Sequence, residues 1–556
     1  FSAHSLDVAF IKNATEEDWK KQSNFIINEL SDELIDSSFA ALPKEIRDDE
    51  TTFSIKAKLK TRKNGLESFA LKYYDLLQKR IILTGTDKKD KFLVERLSNG
   101  DTKVSWIRHK KDDNEFQFSR TYGQQKTLEI WIYGLDDEDE FEVTGNAKST
   151  ITIRLIGGQN HDNYVIENGR NIKVYDYKSK KNTVKAPHSA AVHLKDDYEL
   201  NEYHYKKPKF NHTFLLPLIG FNPDDGIKIG GTYSYVKQGF INNPFTAKHN
   251  FSGNYYFATQ GVEFGYTSSF TRLIGKWNVK VEARYTTPNF SINYFGYGNE
   301  TDNFDREEGM DYNRVRIQIL KIAPALKYIG RLGSEMTFQT SFENIEVEGT
   351  TSRFINQPGA VNPEVFDYQQ FAGASFKYAY KNYDREANPT LGMRFALQGT
   401  WKTNLSDFKR NFTYMECELG FSHQLTKSNK LILGTLLKGK MLLNNNFEFY
   451  QGATLGGDYD LRGFRNERFL GKQSFFQSTD LRWNIGKIKS IVPMSYGILG
   501  GYDYGRVWLD GEDSSLWHQS VGGGIWLNGL DLVTARVTFF NSQDGNRIAF
   551  GLGFGF

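Results

Sequence analysis

The sequence predicts an all-β transmembrane barrel of about sixteen antiparallel strands behind an N-terminal α+β region. Three observations carry this reading. The last eleven residues, Asn546 to Phe556, put Ile548, Phe550, Leu552, Phe554 and Phe556 on one face of a strand. Ala549, Gly551, Gly553 and Gly555 fall on the other face. Large apolar groups outward and almost nothing inward suit a strand between lipid and a crowded lumen. A barrel pairs such a last strand with its first, which removes the aggregation-prone edge it would otherwise leave. Second, a train of period-two segments begins near Lys207. Met415, Cys417, Leu419 and Phe421 alternate with Glu416, Glu418, Gly420 and Ser422, and Val533, Ala535, Val537 and Phe539 with Thr534, Arg536 and Thr538. Third, short connections such as 329–331, 426–429 and 528–530 alternate with long ones at 296–311, 346–364 and 444–471, as periplasmic turns alternate with surface loops.

Composition agrees. Phe, Tyr and Trp make up 15% of the 556 residues, with 50 Gly and 12 Pro. The mean hydropathy is −0.55, and no apolar run reaches the ~18 residues of a transmembrane helix. A formal net charge of +3 discriminates nothing, and the sequence holds no basic block suited to nucleic acid. Cys417, the single cysteine, excludes an internal disulfide and is expected on the lipid face. The chain opens Phe-Ser-Ala-His with no apolar signal segment, so the expectation is a mature form or a fragment.

Taken in order, residues 1–80 are expected to be a helical periplasmic segment. Thr15 with Asp18 forms a capping box before a helix reaching about Leu30, and a second long helix is expected over 66–79. Residues 81–175 are expected to be a β-rich repeat subdomain. One pattern recurs three times: Gly85…Asp90-Lys-Phe92-Leu-Val94, Gly134…Asp139-Glu-Phe141-Glu-Val143 and Gly157…Asp162-Asn-Tyr164-Val-Ile166. Gly and Asp are expected to make the turn, and the aromatic and branched residues to share a face of the next strand. Residues 176–206 read as a charged, Tyr-rich linker, and 207–556 as the barrel.

The residues that carry chemistry lie late in the chain. Gly456-Gly457-Asp458-Tyr459-Asp460-Leu461-Arg462-Gly463-Phe464 sits in a long surface loop, with Asp480-Leu481-Arg482 and Gly501-Tyr502-Asp503-Tyr504-Gly505 downstream. A loop long enough to fold back would carry the Arg462 guanidinium into the lumen. A charge removed from water needs a carboxylate there, and Asp503 and Asp480 are the candidates.

At these residues the chain resembles the BamA/TamA surface-antigen superfamily of outer-membrane assembly and secretion barrels. The resemblance covers roughly residues 207–556. It implies a sixteen-stranded barrel, an inward-folded sixth surface loop with Arg462-Gly463-Phe464 at its tip, and a weak seam between the first and last strands. Phe295-Gly-Tyr-Gly-Asn-Glu300 also resembles a family signature in a surface loop. Leu461 stands where the family usually has Val or Ile. The repeated periplasmic modules of the assembly factors are not found. Instead, residues 7–175 resemble a region of Bacteroidetes-type fusion proteins between a metallophosphoesterase-like domain and a surface-antigen barrel. That likeness rests on the repeats, the Trp19 helix and Leu42-Pro43-Lys44-Glu45-Ile46, and implies a metal-dependent hydrolase upstream of Phe1.

No enzyme site, metal site or cofactor is expected within this chain. The Ser406/Lys409 spacing falls in a surface loop. His188, His193 and His204 lie near Asp196, Asp197 and Glu199 but match no standard zinc spacing. The three repeats are weighed as calcium turns and favoured as a structural β-stack. The reading is a non-enzymatic barrel of the bacterial outer membrane, with residues 1–206 periplasmic, acting in insertion or export of protein or lipid. An anchor for an upstream hydrolase and a structural subunit of a larger complex remain alternatives. The partners expected are outer-membrane lipid and other outer-membrane or periplasmic proteins, and no nucleic acid. The seam is expected between the last strand and 212–221, with Phe214 facing Phe550.

Overall fold

A computed structural model of the chain describes residues 4–11, 13–109, 114–241, 243–428, 430–488, 493–531 and 533–553. Phe554 and Phe556 of the closing strand lie outside the described residues. The chain divides into two compact units, Phe1–Lys209 and Phe210–Phe556.

The larger unit is a closed antiparallel barrel running from His212–Asn222 to Gly545–Gly553. Sixteen strands close it among the described residues. One of them is interrupted, as Trp277–Thr286 and Ser291–Asn293 both pair along Arg314–Ile329. Phe264, Phe338, Trp401, Trp483, Ile525 and Ile548 stand exposed on the outside. The inside holds charges in pairs, with Lys402 Nζ 2.6 Å and Lys321 Nζ 3.3 Å from the Glu343 carboxylate and Arg284 Nε 2.7 Å from Glu263. An even strand number, an apolar outer belt and a polar lumen are the features of a bacterial outer-membrane barrel. The long connections 294–313, 348–368 and 443–472 share one end. At that same end the connections nearest the first and last strands are tight hairpins, at 223–225, 257–260 and 543–544.

The smaller unit begins with helices. Thr15 and Asp18 exchange the reciprocal bonds of a capping box ahead of Glu16–Glu29. Beyond that helix and Leu66–Gln78, four more form before the first strand among the described residues, at His4–Phe10, Asp32–Ala40, Lys44–Arg47 and Glu50–Asn64. Strands follow: β1 (Arg80–Thr84), β2 (Asp90–Arg96), β3 (Thr102–His109), β4 (Asn114–Tyr122), β5 (Glu129–Leu135), β6 (Glu140–Thr144), β7 (Thr152–Gly158), β8 (Asn163–Ile166), β9 (Ile172–Asp176), β10 (Thr183–Lys185) and β11 (Ala191–Leu194). Strands β1, β5, β7, β9 and β11 make one parallel sheet, and β2, β6, β8 and β10 a second, to which the β3–β4 hairpin adds on the β2 edge. The chain alternates between the sheets, so the unit is a two-sided parallel β-solenoid. Residues 176–206, expected to be a linker, instead form its last strands and a helix at Tyr198–Asn201.

The repeats stack because parallel register puts equivalent residues on top of one another. Phe92 pairs with Phe141, and Phe141 with Tyr164. Their rings lie 5.5 and 4.9 Å apart with planes within 13° and 6° of parallel, and all three are buried. The aspartates do more than turn the chain. Asp139 Oδ1 accepts from Asp90 N and Asp162 Oδ1 from Asp139 N, both at 2.9 Å, and Asn182 Oδ1 accepts from Asp162 N at 2.9 Å. The glycines leave room for this ladder. A Cβ at Gly85 would lie 2.7 Å from Asp90 Oδ2, and one at Gly134 would lie 2.7 Å from Gly157 O and collide with Asp139 Oδ2. At the last rung Asp176 accepts from the Tyr164 hydroxyl at 2.7 Å.

Asp139 Oδ2 and Asp162 Oδ2 are buried with no donor facing them. A carboxylate in that position is costly, whereas a protonated carboxyl can donate. Burial accordingly pushes the Asp139 carboxyl up to about 8, and raises Asp162 and Asp176, which share one site. Unfolded, these groups titrate near ~4. Their contribution to stability is therefore full below pH ~4 and is lost as pH rises to the folded value, at most on the order of 1.4 kcal/mol per pH unit for each group. Burial lowers the His193 imidazole, which acts the opposite way below its ordinary value of about 6.5, so the clean window is about 6.5 to 8. Across it, hydrogen-exchange protection of 129–144, corrected for intrinsic rates, should fall as pH rises, and Asp139→Asn should flatten that dependence. Phe141→Ala should destabilise the solenoid by about 3–5 kcal/mol, measured as a lower urea midpoint for exchange of the same amides.

Candidate functional site

Within the connection 443–472, Ala453–Leu455 and Phe469–Gly471 pair as a short antiparallel ribbon. Gly456 and Gly457 follow with φ of +119° and +111°, where a side chain would be strained. They open a tip, 458–468, that lies inside the barrel. Leu461 and Phe464 are fully buried there with Leu455, Phe469, Phe476 and Val507. Phe469 stacks on His518 at 3.6 Å.

The structure places Arg462 against both carboxylates that the sequence offered. Its Nε and Nη2 bond Asp503 Oδ2 and Oδ1 at 2.9 and 2.6 Å, and its Nη2 lies 2.8 Å from Asp480 Oδ1. The Arg462 backbone N–H also donates to Asp503, at 3.1 Å. The guanidinium sits 4.1 Å from the centre of the Phe540 ring. Asp503 is fully buried and Arg462 is 9% exposed. Gly463 lies so close to the wall that a Cβ would fall 2.7 Å from Ser520 Cβ and 2.8 Å from Ser542 Cβ. The Ser542 hydroxyl donates to Gly463 O at 2.7 Å.

Two further arginines complete the arrangement. Arg465 Nε bonds Asp224 Oδ1 at 2.5 Å and its Nη1 pairs with Asp305. Arg468 Nε bonds Asp544 Oδ2 at 2.6 Å. Both guanidinia lie on the Phe295 ring, at 5.2 and 4.8 Å. Asp224 also takes Arg547 Nη2 at 2.6 Å, so the inward face of the closing strand carries a charge ahead of Ala549 and Gly551. Sequence reasoning missed Arg465, Arg468, Arg547, Asp224 and Asp544. The three-residue spacing of Arg462, Arg465 and Arg468 was the available signal. The stretch Phe295–Glu300 meets the same loop. Gly298 N donates to Leu470 O at 2.8 Å, and the Glu512 carboxylate accepts from Asn299 N at 2.7 and 2.9 Å.

Arg482 serves the other end of the lumen. It donates to Asn388 Oδ1 at 2.8 Å and to Pro389 O at 2.7 Å, holding the turn 382–391 inside the barrel. Between this turn and the tip lies a cavity of about 530 Å³. Asp458, Tyr459, Arg482, Arg536 and Pro389 line it, together with 218–221 of the first strand and 549–552 of the last.

That cavity borders the seam. The first strand pairs with its sequence neighbour over eleven rungs, from His212↔Val236 to Asn222↔Gly226. Across the seam the described pairing is Gly220↔Gly551 and Phe221↔Phe550 alone. Phe214 therefore does not face Phe550, as had been expected; Phe221 does. Alternation of side chains fixes which face a residue takes, not how far one strand has slid along another. On the closing strand, Ile548 is exposed on the outer face and Arg547 is buried toward the lumen.

A family model described as haemolysin secretion/activation protein ShlB/FhaC/HecB matches residues 369–528. Among solved structures, BamA from Haemophilus ducreyi lacking POTRA domains 1–3 is similar over 62% of this chain and 71% of that chain, at 13% identity and a TM-score of 0.45. CdiB from Escherichia coli is similar over 62% of this chain and 63% of its own, at 12% identity and a TM-score of 0.42. CdiB from Acinetobacter baumannii gives 61% and 59%, 13% identity and 0.40. The chain thus spans less than two thirds of either CdiB chain. No curated protein matches the sequence.

Removing Arg462 leaves Asp503 buried without its partner. Arg462→Ala should destabilise the folded barrel by about 3–5 kcal/mol, seen as a lower temperature at which the fast-migrating folded band is lost on gels. Arg462→Lys keeps the charge but not the two-pronged geometry, and should fall between wild type and Ala.

Proposed function

We propose that the chain works without catalysis in the bacterial outer membrane, moving polypeptide into or across it, with its solenoid unit in the periplasm. The observation that carries this reading is the seam beside a lumen cavity, where the described residues pair in two rungs. A barrel meant only to stay shut gains from a full ladder at every junction, yet among the described residues this junction is thin where the cavity reaches the wall. The arginine-bound tip supports the same reading, because a charge-paired loop is a two-state element whose release would clear the upper lumen. The family model matched over 369–528 describes secretion and activation proteins and spans that tip. The periplasmic placement is supported by the first strand, which starts at the end opposite the long loops.

The test is to lock the seam. With Cys417 replaced by Ser, cysteines at Phe221 and Phe550 face each other and can be joined by an oxidant or a short bifunctional maleimide. In the source organism, depletion of the chain should change the surface or secreted protein profile. The uncrosslinked double variant should restore it, and the crosslinked form should fail. If the locked barrel restores the profile fully, the seam does not open in function, and the barrel serves as an anchor or a structural subunit.

A further inference from the structure

Within this unit, and among its described residues, the solenoid is covered at one end only. At its first rung the helices His4–Phe10 and Leu66–Gln78 pack on β1, and the β3–β4 hairpin occupies the free side of β2. At its last rung, β10 and β11 are the outermost strands of their sheets. The chain after β11 does not close this end. Asn201 Nδ2 donates to Lys195 O at 2.7 Å, Tyr203 packs on Tyr133 at 5.3 Å, and Arg80 Nη1 donates to Lys209 O at 2.9 Å. The segment thus retraces the outer face of the β1-containing sheet to the first rung, and no described residue of this unit pairs with the β10 and β11 edges.

The backbone directions on that edge can be read. Lys195 N donates inward to Asp176 O at 2.8 Å, and Thr183 N donates inward to Asp162 O at 2.9 Å. In a parallel strand, alternate residues turn both N–H and C=O to opposite sides. Val192, Leu194 and Val184 therefore present theirs to the open side. The side chains of Val192 and Leu194 are 40% and 37% exposed. Residues 177–195 hold Lys178, Lys180, Lys181, Lys185 and Lys195 with no Asp or Glu. All five lysines are exposed, and none appears in an ion pair among the described residues. Asp196 and Asp197 follow; the Asp196 carboxylate accepts from Ser179 N at 2.9 Å and the Asp197 carboxylate from Glu199 N at 3.1 Å.

We propose that the open end of the solenoid is a docking edge for an extended acidic polypeptide segment, which adds to β10 or β11 as a further parallel strand. Main-chain bonds to Val184, Val192 and Leu194 supply strand addition, and the lysines select carboxylate-bearing sequences. Two copies of this edge would bring five lysines against five, which opposes self-association. The inference does not rest on translocation through the barrel.

The experiment uses the full chain in detergent micelles and two fluorescent twelve-residue peptides, one alternating Thr and Glu and one alternating Thr and Lys. The acidic peptide should raise anisotropy saturably and the basic one should not. Salt raised from 50 to 300 mM should weaken binding by about tenfold, as screening of exposed charges requires. Lys178→Glu/Lys181→Glu/Lys185→Glu should abolish it. Val192→Pro removes an outward-facing N–H without costing an internal ladder bond, and should weaken binding about tenfold, with unchanged exchange protection of 129–144 showing that the solenoid remains folded. Absence of binding by the acidic peptide overturns the proposal. So does a charge-dependent interaction indifferent to Val192→Pro, which would be simple electrostatic adsorption, or concentration-dependent dimerisation that blocks the peptide.

Discussion

The barrel is organised around the burial of three arginines from one loop. Arg462, Arg465 and Arg468 enter the lumen at three-residue intervals, and each meets a carboxylate on a different part of the wall. Charges taken out of water must be matched with good geometry or the structure is lost. This constraint explains much around it. Gly463 is small because the loop touches the wall, Phe295 is aromatic because two guanidinia lie on it, and Asp224 and Asp544 occupy tight hairpins that hold them still. Because Asp224 binds both Arg465 and Arg547, the loop is also tied to the strand that closes the barrel.

The two units answer the cost of buried polar groups differently. In the lumen, opposite charges are brought together. In the solenoid, like groups are stacked, and each aspartate accepts a backbone N–H from the rung before it. The second solution calls for protons on the inner carboxyls, since among the described residues no donor faces Asp139 Oδ2 or Asp162 Oδ2. It also needs the glycine column, which provides the space. A repeat of this kind is stabilised by its neighbours rather than by itself, so each rung depends on the one beneath it.

The sequence made the barrel legible because period-two alternation and a distinctive closing strand are local patterns. Arg462 was legible because Arg-Gly-aromatic is a short, specific string and a buried cation demands an acid nearby. Arg465 and Arg468 were not, since their partners sit in turns more than two hundred and about seventy residues away, at Asp224 and Asp544. The seam register was not legible, because alternation sets parity alone. The last rung of the solenoid was mistaken for a linker for a definite reason. Its equivalents of Asp, aromatic and branched residue are Asn182, Val184 and Ala186, which keep the stacking geometry and lose the recognisable letters. The helices at 32–64 fall within the segment read as helical but were not placed one by one, because they bury few residues and so lack a clear apolar stripe.

The turn 382–391, held by Arg482, has a consequence for the membrane as an insulator. A sixteen-stranded barrel with an open lumen would pass ions and small solutes. Here the bore is stopped twice, by a loop entering from one mouth and a turn entering from the other, on separate sets of bonds. Two elements in series, the loop tip and the turn, thus stand between the mouths of the lumen on either side of the cavity.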